Sequence, residues 1–163
     1  MHRVYARHVR VLQGDRLSVA LIKRCIRGGL LLEGVDFPCE LSVLITDDVG
    51  IRDINRRFRD VDEVTDVLSF PMQEFDSPGW AGVADEAFDT QSGFLLLGDI
   101  VLSADRVSRQ AKENGNTLDQ ETAYLTVHSL LHLLGYDHID EGTDKAFMRE
   151  REETILRMLG ARN

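Results

Sequence analysis

Eleven residues toward the C-terminal end, His128-Ser129-Leu130-Leu131-His132-Leu133-Leu134-Gly135-Tyr136-Asp137-His138, bring together side chains able to hold a metal ion. His128 and His132 are four positions apart, so on a helix of 3.6 residues per turn they lie on one face and can reach the same point. Gly135 is the residue type that ends a helix in the left-handed conformation, and a chain reversed there can carry His138 back toward that point. Three neutral imidazoles suit a divalent ion of the zinc type, one per chain. Three protein ligands, not four, leave a coordination position for water or substrate. The offsets match those of metzincin proteases, HExxHxxGxxH, except that Ser129 stands where the protease needs its glutamate base. Peptidase chemistry is therefore the weakest of the metal-dependent readings.

Something must hold these histidines, and the periodicity of the chain outlines it. Thr117-x-x-Gln120 is a capping box that opens a helix running into the histidine stretch. Its Leu118, Leu125, Val127, Leu130, Leu131, Leu133 and Leu134 leave almost no polar side, which places this helix in the middle of the fold. Buried imidazoles there are costly unless hydrogen-bonded or metal-bound. Upstream, residues 3–12 alternate loosely as a strand, and a helix runs from Arg16 to about Leu32 with Gly28 and Gly29 weakening its far end. Glu40–Thr46 reads as a strand, and Asp47 and Asp48 cap a helix through Phe58 with Ile51, Ile54 and Phe58 inward. Val64–Phe70 is a strand stopped by Pro71, while 73–92 reads as a long loop in which Trp80 covers an apolar edge or meets substrate.

Phe94–Ser103 is almost continuously apolar, a strand buried on both faces and interrupted by Asp99. A helix follows from Ser103 or Ala104 to about Asn114, and a last one spans Thr143 to Leu159, packing Phe147, Ile155, Met158 and Leu159 before Gly160. The order of elements predicts one α/β domain over residues 1–163.

Bulk properties narrow the function classes. A chain of 163 residues with a net charge of −9 is the size of one globular domain and does not carry an extended basic surface for coating nucleic acid. Local basic stretches remain: Arg52, Arg56, Arg57 and Arg59; Arg3, Arg7 and Arg10; Arg106, Arg109 and Lys112. Stretches of this kind are most often solvated faces. No apolar run reaches the length of a membrane span and the first residues lack a signal-peptide core, so a cytoplasmic protein with no membrane partner is expected. Cys25 and Cys39 fall in no paired metal-ligand spacing and are expected to be reduced and structural.

HSLLHLLGYDH, preceded by RRFRDVDEVTDVLSFP at Arg56 to Pro71 and by LLLGDIVLS at Leu95 to Ser103, resembles the YbeY family of zinc-dependent bacterial endoribonucleases. The resemblance spans roughly Leu41 to Leu156, with the three blocks in the family's order. It departs at Ser129, where the family usually has Gly, at Val64 in place of Pro, and at Phe58 in place of Tyr. It implies a small mixed four-stranded sheet with helices packed on it and the metal-bearing helix central. It also implies cleavage of single-stranded or structured ribosomal RNA in 16S rRNA maturation and small-subunit quality control, with ribosomal RNA and the small ribosomal subunit as partners. His128, His132 and His138 match the family's metal ligands, and Arg59 matches its arginine.

A phosphodiester gains negative charge in the transition state, so a guanidinium beside the metal would stabilise it. That makes Arg59 a catalytic candidate, against its plain reading as an exposed cation at a helix C-terminus. Asp99 is the second: a carboxylate in a buried strand needs a partner, either a ligand histidine or an arginine it orients, or a helix N-terminus it caps. Asp137 could stand behind the metal or act as base, and the base stays unassigned. The competing class is a ribosome-assembly factor whose zinc only ties helix to turn.

Overall fold

The computed structural model describes residues 7–13, 16–75, 83, 85–136 and 143–161. Short polar side chains set the helix starts. Ser18 accepts from the Leu21 amide ahead of α1 (Val19–Leu32), Asp47 from Gly50 ahead of α2 (Asp48–Arg59), and Ser103 from Arg106 ahead of α3 (Ala104–Glu113). The expected capping box opens α4 (Leu118–Leu133): the Thr117 hydroxyl accepts from the Gln120 amide at 3.1 Å, and the Gln120 side chain accepts from the Thr117 amide at 2.9 Å. The last helix, α5, covers Thr143–Met158.

The strands β1 (Arg7–Leu12), β2 (Cys39–Thr46), β3 (Val67–Pro71) and β4 (Leu95–Ser103) form one mixed sheet in the order β1-β2-β4-β3. β1, β2 and β4 run parallel, and β3 pairs antiparallel with β4 as an edge strand. One face of the sheet carries the main core, built with Ile22, Ile26 and Leu30 of α1, Leu130, Leu131 and Leu133 of α4, and Ile155 and Leu156 of α5. The other face carries α2 over a small cluster of Ile51, Leu68 and Val101. α4 is buried on nearly all sides, as its missing polar face requires.

Several boundaries and faces differ from the sequence expectation for local reasons. β3 begins at Val67 because the Asp66 carboxylate takes the Val67 amide at 2.7 Å and turns the chain there. Phe58 is 71% exposed and not inward. Asn55 takes the inward position instead, its amide donating to the Glu63 carbonyl at 3.0 Å. On α5 the buried stripe is Met148, Glu152, Ile155 and Leu156; Met158 faces outward, and the partly exposed Phe147 stacks its ring on Tyr136. Both cysteines are buried and unbridged, and burial pushes each thiol up to about 11. Trp80 lies outside the described residues.

Candidate metal centre

The C-terminal half of α4 carries His128 and His132, and their rings converge. The two Nε2 atoms stand 3.1 Å apart. Each ring is turned by a partner on its other nitrogen. The Nδ1 of His128 meets the Glu152 carboxylate at 2.5 Å, and the Nδ1 of His132 meets the Tyr136 carbonyl at 3.0 Å. A carboxylate and a carbonyl can only accept, so both Nδ1 atoms carry the proton and both Nε2 atoms face each other with lone pairs. Two facing lone pairs at this distance repel; a shared cation, a proton or a metal ion, makes the contact attractive. Two imidazoles on one tetrahedral zinc ion, each at about 2.0–2.1 Å, hold their nitrogens ~3.3 Å apart. The pair fits such an ion in spacing, donor type and tautomer.

Gly135 ends α4 with φ of +95°, as its residue type suggested. It also has a packing role: a Cβ there would lie 3.0 Å from Cβ of Phe75. The turn brings the Tyr136 carbonyl back to His132, and the Tyr136 side chain anchors it across the fold. Its hydroxyl donates to Glu33 Oε2 at 2.6 Å, while Arg151 Nε donates to Glu33 Oε1 at 2.7 Å. Burial, with the Glu33 contact second, holds the Tyr136 phenol well above its usual range. His138 and Asp137 lie outside the described residues.

The histidines open onto a cleft of about 660 Å³ whose walls include Arg59, Asp66, Ser69, Gln73, Phe75 and Tyr136. Edge strand β3 forms one wall. Arg59 closes α2 and reaches over that strand, Nη2 donating to the Ser69 carbonyl and the guanidinium resting 5.0 Å from the Phe70 ring centre. The structure thus brings Arg59 and the two histidines to one cavity. The rest of the arginine cluster on α2 is neutralised: Arg52 pairs with Asp62, and Arg56 and Arg57 both pair with Asp53. Ser129 is fully buried and its Oγ has no hydrogen-bond partner among the described residues.

Asp99 is not brought to the cleft. From Leu95, simple alternation would put residues 95, 97 and 99 on one face of β4. Gly98 breaks it, with φ of +140° at a register irregularity against Glu40 and Leu41 of β2. Leu95 and Leu97 before the bulge, and Ile100 and Leu102 after it, therefore share the main core. Asp99 falls on the opposite side, in a separate cavity of about 380 Å³ with Leu12, Leu44, Ile54, Phe58 and Phe70. Burial raises its pKa. The carboxylate that orients one of the two converging imidazoles is Glu152, which sequence reasoning missed. Its one signal was a charged residue at an inward helical position, flanked by Met148, Ile155 and Leu156.

Residues 12–160 match the family model described as Endoribonuclease YbeY. A Clostridium kluyveri protein named Endoribonuclease YbeY is 46% identical over 148 residues, which is 88% of this chain and 89% of that protein. A protein of the same name from Clostridium acetobutylicum is 50% identical over 143 residues, covering 83% of this chain and 84% of its own. Among solved structures, the solution structure of TM1509 from Thermotoga maritima superposes with a TM-score of 0.60 at 25% identity, covering 93% of this chain and 88% of that one.

Proposed function

The chain belongs to the YbeY endoribonuclease family, and from that membership we propose that it is a metal-dependent endoribonuclease acting on single-stranded or structured ribosomal RNA. The substrate task is 16S rRNA maturation and quality control of the small ribosomal subunit in the cytoplasm. One observation carries the reading: two imidazoles whose tautomers are set by Glu152 and Tyr136, with Nε2 atoms 3.1 Å apart, open onto the cleft that holds Arg59.

His128 and His132 would hold one zinc ion, with His138 as the third ligand by its spacing in the sequence. When bound, zinc supplies Lewis acidity toward a phosphoryl oxygen and activates water near neutral pH. The protein's own side chains do the rest. Glu152 and the Tyr136 carbonyl keep each ring aimed and more basic by accepting the Nδ1 proton. Arg59 binds the scissile phosphate and stabilises the charge it gains, from a position fixed by Ser69 and Phe70. The wall of β3 aligns the strand beside them.

The test is RNA cleavage by purified zinc-loaded protein and by His132→Ala prepared identically and free of contaminating nuclease. Parent activity with loss in the variant is expected. Equal cleavage by both would overturn the catalytic metal. A fold that collapses when a chelator removes zinc, with no cleavage at any metal content, would favour the assembly factor.

A further inference from the structure

We propose that the outer face of α1 is a second RNA-binding surface, separate from the cleft, which grips the phosphate backbone of a long substrate through Lys23, Arg24 and Arg27 together with Arg7. This inference rests on the RNA-directed reading above. Ala20, Lys23, Arg24, Arg27, Gly28 and Leu31 follow helical spacing and, with Arg7 and Leu159, line a groove of about 610 Å³. None of these residues lines the histidine cleft.

Charge distinguishes this face. The chain carries 28 acids against 19 lysines and arginines, yet no acid is among the residues that line this groove. α1 contains Lys23, Arg24 and Arg27 and no acid at all. Among the described residues none of the four groove cations is in an ion pair, although Arg16, Arg52, Arg56, Arg57, Arg109 and Arg151 all are. Arg7 donates from Nη2 to the Val35 carbonyl at 3.3 Å, and its Nε is buried without a partner. Four cations kept apart from acids in a strongly acidic chain repel one another, and a polyanion laid along them relieves that repulsion and releases its counterions.

The floor suits a nucleic acid as well. Leu31 is 64% exposed beside Leu159, which offers an apolar surface to sugar and base faces between the charges. Gly28 leaves room in that floor: a Cβ there would press on Cδ2 of Leu159, just past the end of α5, and the leucine side chain would have to turn away. Lys23 and Arg27 are one turn apart, about 6 Å along the axis. That array tracks a flexible backbone without reading sequence.

The experiment measures the affinity of the full-length, zinc-loaded chain for long polyuridylate across a salt series. Two triple variants are compared, one replacing Lys23, Arg24 and Arg27 by Gln and one replacing them by Glu, each checked for parent-like melting and zinc content. Expected are a ~10- to 100-fold loss of affinity at low salt, larger for Glu, and a log–log salt slope shallower by about 2, near 0.7 for each phosphate the protein no longer neutralises. Parent affinity and slope in the folded Gln variant would overturn the groove, as would failure of the parent itself to bind. Cleavage scored in the same samples separates the two ideas. Groove-dependent binding without cleavage would overturn the nuclease reading and leave the groove standing, whereas cleavage with unchanged slopes would do the reverse.

Discussion

Two carboxylates, Glu152 and Asp99, occupy opposite sides of the same sheet, and they differ in what they face. Glu152, 5% exposed, sits on the core side against the Nδ1 of His128 at 2.5 Å. Asp99 sits on the α2 side among Leu44, Ile54 and Phe70, with burial pushing its pKa up. A carboxylate against an imidazole N–H gains a hydrogen bond and fixes the ring's tautomer, whereas the half-buried Asp99, with mostly apolar neighbours, bears the cost of desolvation. Burial of a charged group in a strand or helix is therefore a poor guide to function until its partner is known.

The strongest way to break this contrast is to remove one of the two converging rings. His132→Ala should abolish stoichiometric zinc, measured by metal analysis, and reduce RNA cleavage more than ~100-fold, beyond what loss of an outer partner produces. Next is Glu152→Gln, which leaves the ring but not its acceptor carboxylate. Zinc affinity measured by chelator competition should fall ~10- to 100-fold. An unchanged affinity would put Glu152 on a par with Asp99. Arg59→Ala should lower kcat/KM for RNA by about 10- to 100-fold with zinc affinity intact, and Arg59→Lys should restore little, since a forked planar donor cannot be replaced by a point charge.

Gly98→Ala attacks the device that separates the two carboxylates. A Cβ there would collide with the Phe70 carbonyl oxygen at a φ of +140°, so denaturant unfolding should show a loss of ~2 kcal/mol or more. The smallest effect belongs to Asp99→Asn, with cleavage and zinc affinity within about twofold of the parent. Its signature is in pH. Because the folded pKa of Asp99 is raised, the folded state keeps the proton longer than the unfolded chain. Its contribution to stability is neutral below the unfolded value, falls as pH rises from about 4 through the raised folded value, and stays unfavourable above it. The Asn variant should lack that decline when melting midpoints are followed from acid to neutral pH.

Local chemistry carried most of what was legible. The capping box at Thr117 and Gln120, the left-handed Gly135 and the i, i+4 histidines are each written in neighbouring residues, because hydrogen-bonding groups a few positions apart decide helix ends and side-chain faces, whereas the mixed sheet was expected only from the resemblance to a family. Helix phase was less legible: Phe58 and Met158 are large and apolar yet exposed, while Asn55 and Glu152 go inward because each has a polar partner waiting there. Long-range pairing was not legible at all. Glu33 joins Tyr136 across 103 positions and Arg151 across 118.

By itself, then, the sequence determined that a helix presents two imidazoles on one face and turns sharply after them, since spacing and glycine suffice for that. Only the tertiary structure decided which groups stand behind those rings, and that a one-residue bulge at Gly98 sends Asp99 to the far side of the sheet. The reason is physical. Facing direction follows from local periodicity, but partnership depends on how distant elements stack, and a single irregular residue reverses every face beyond it.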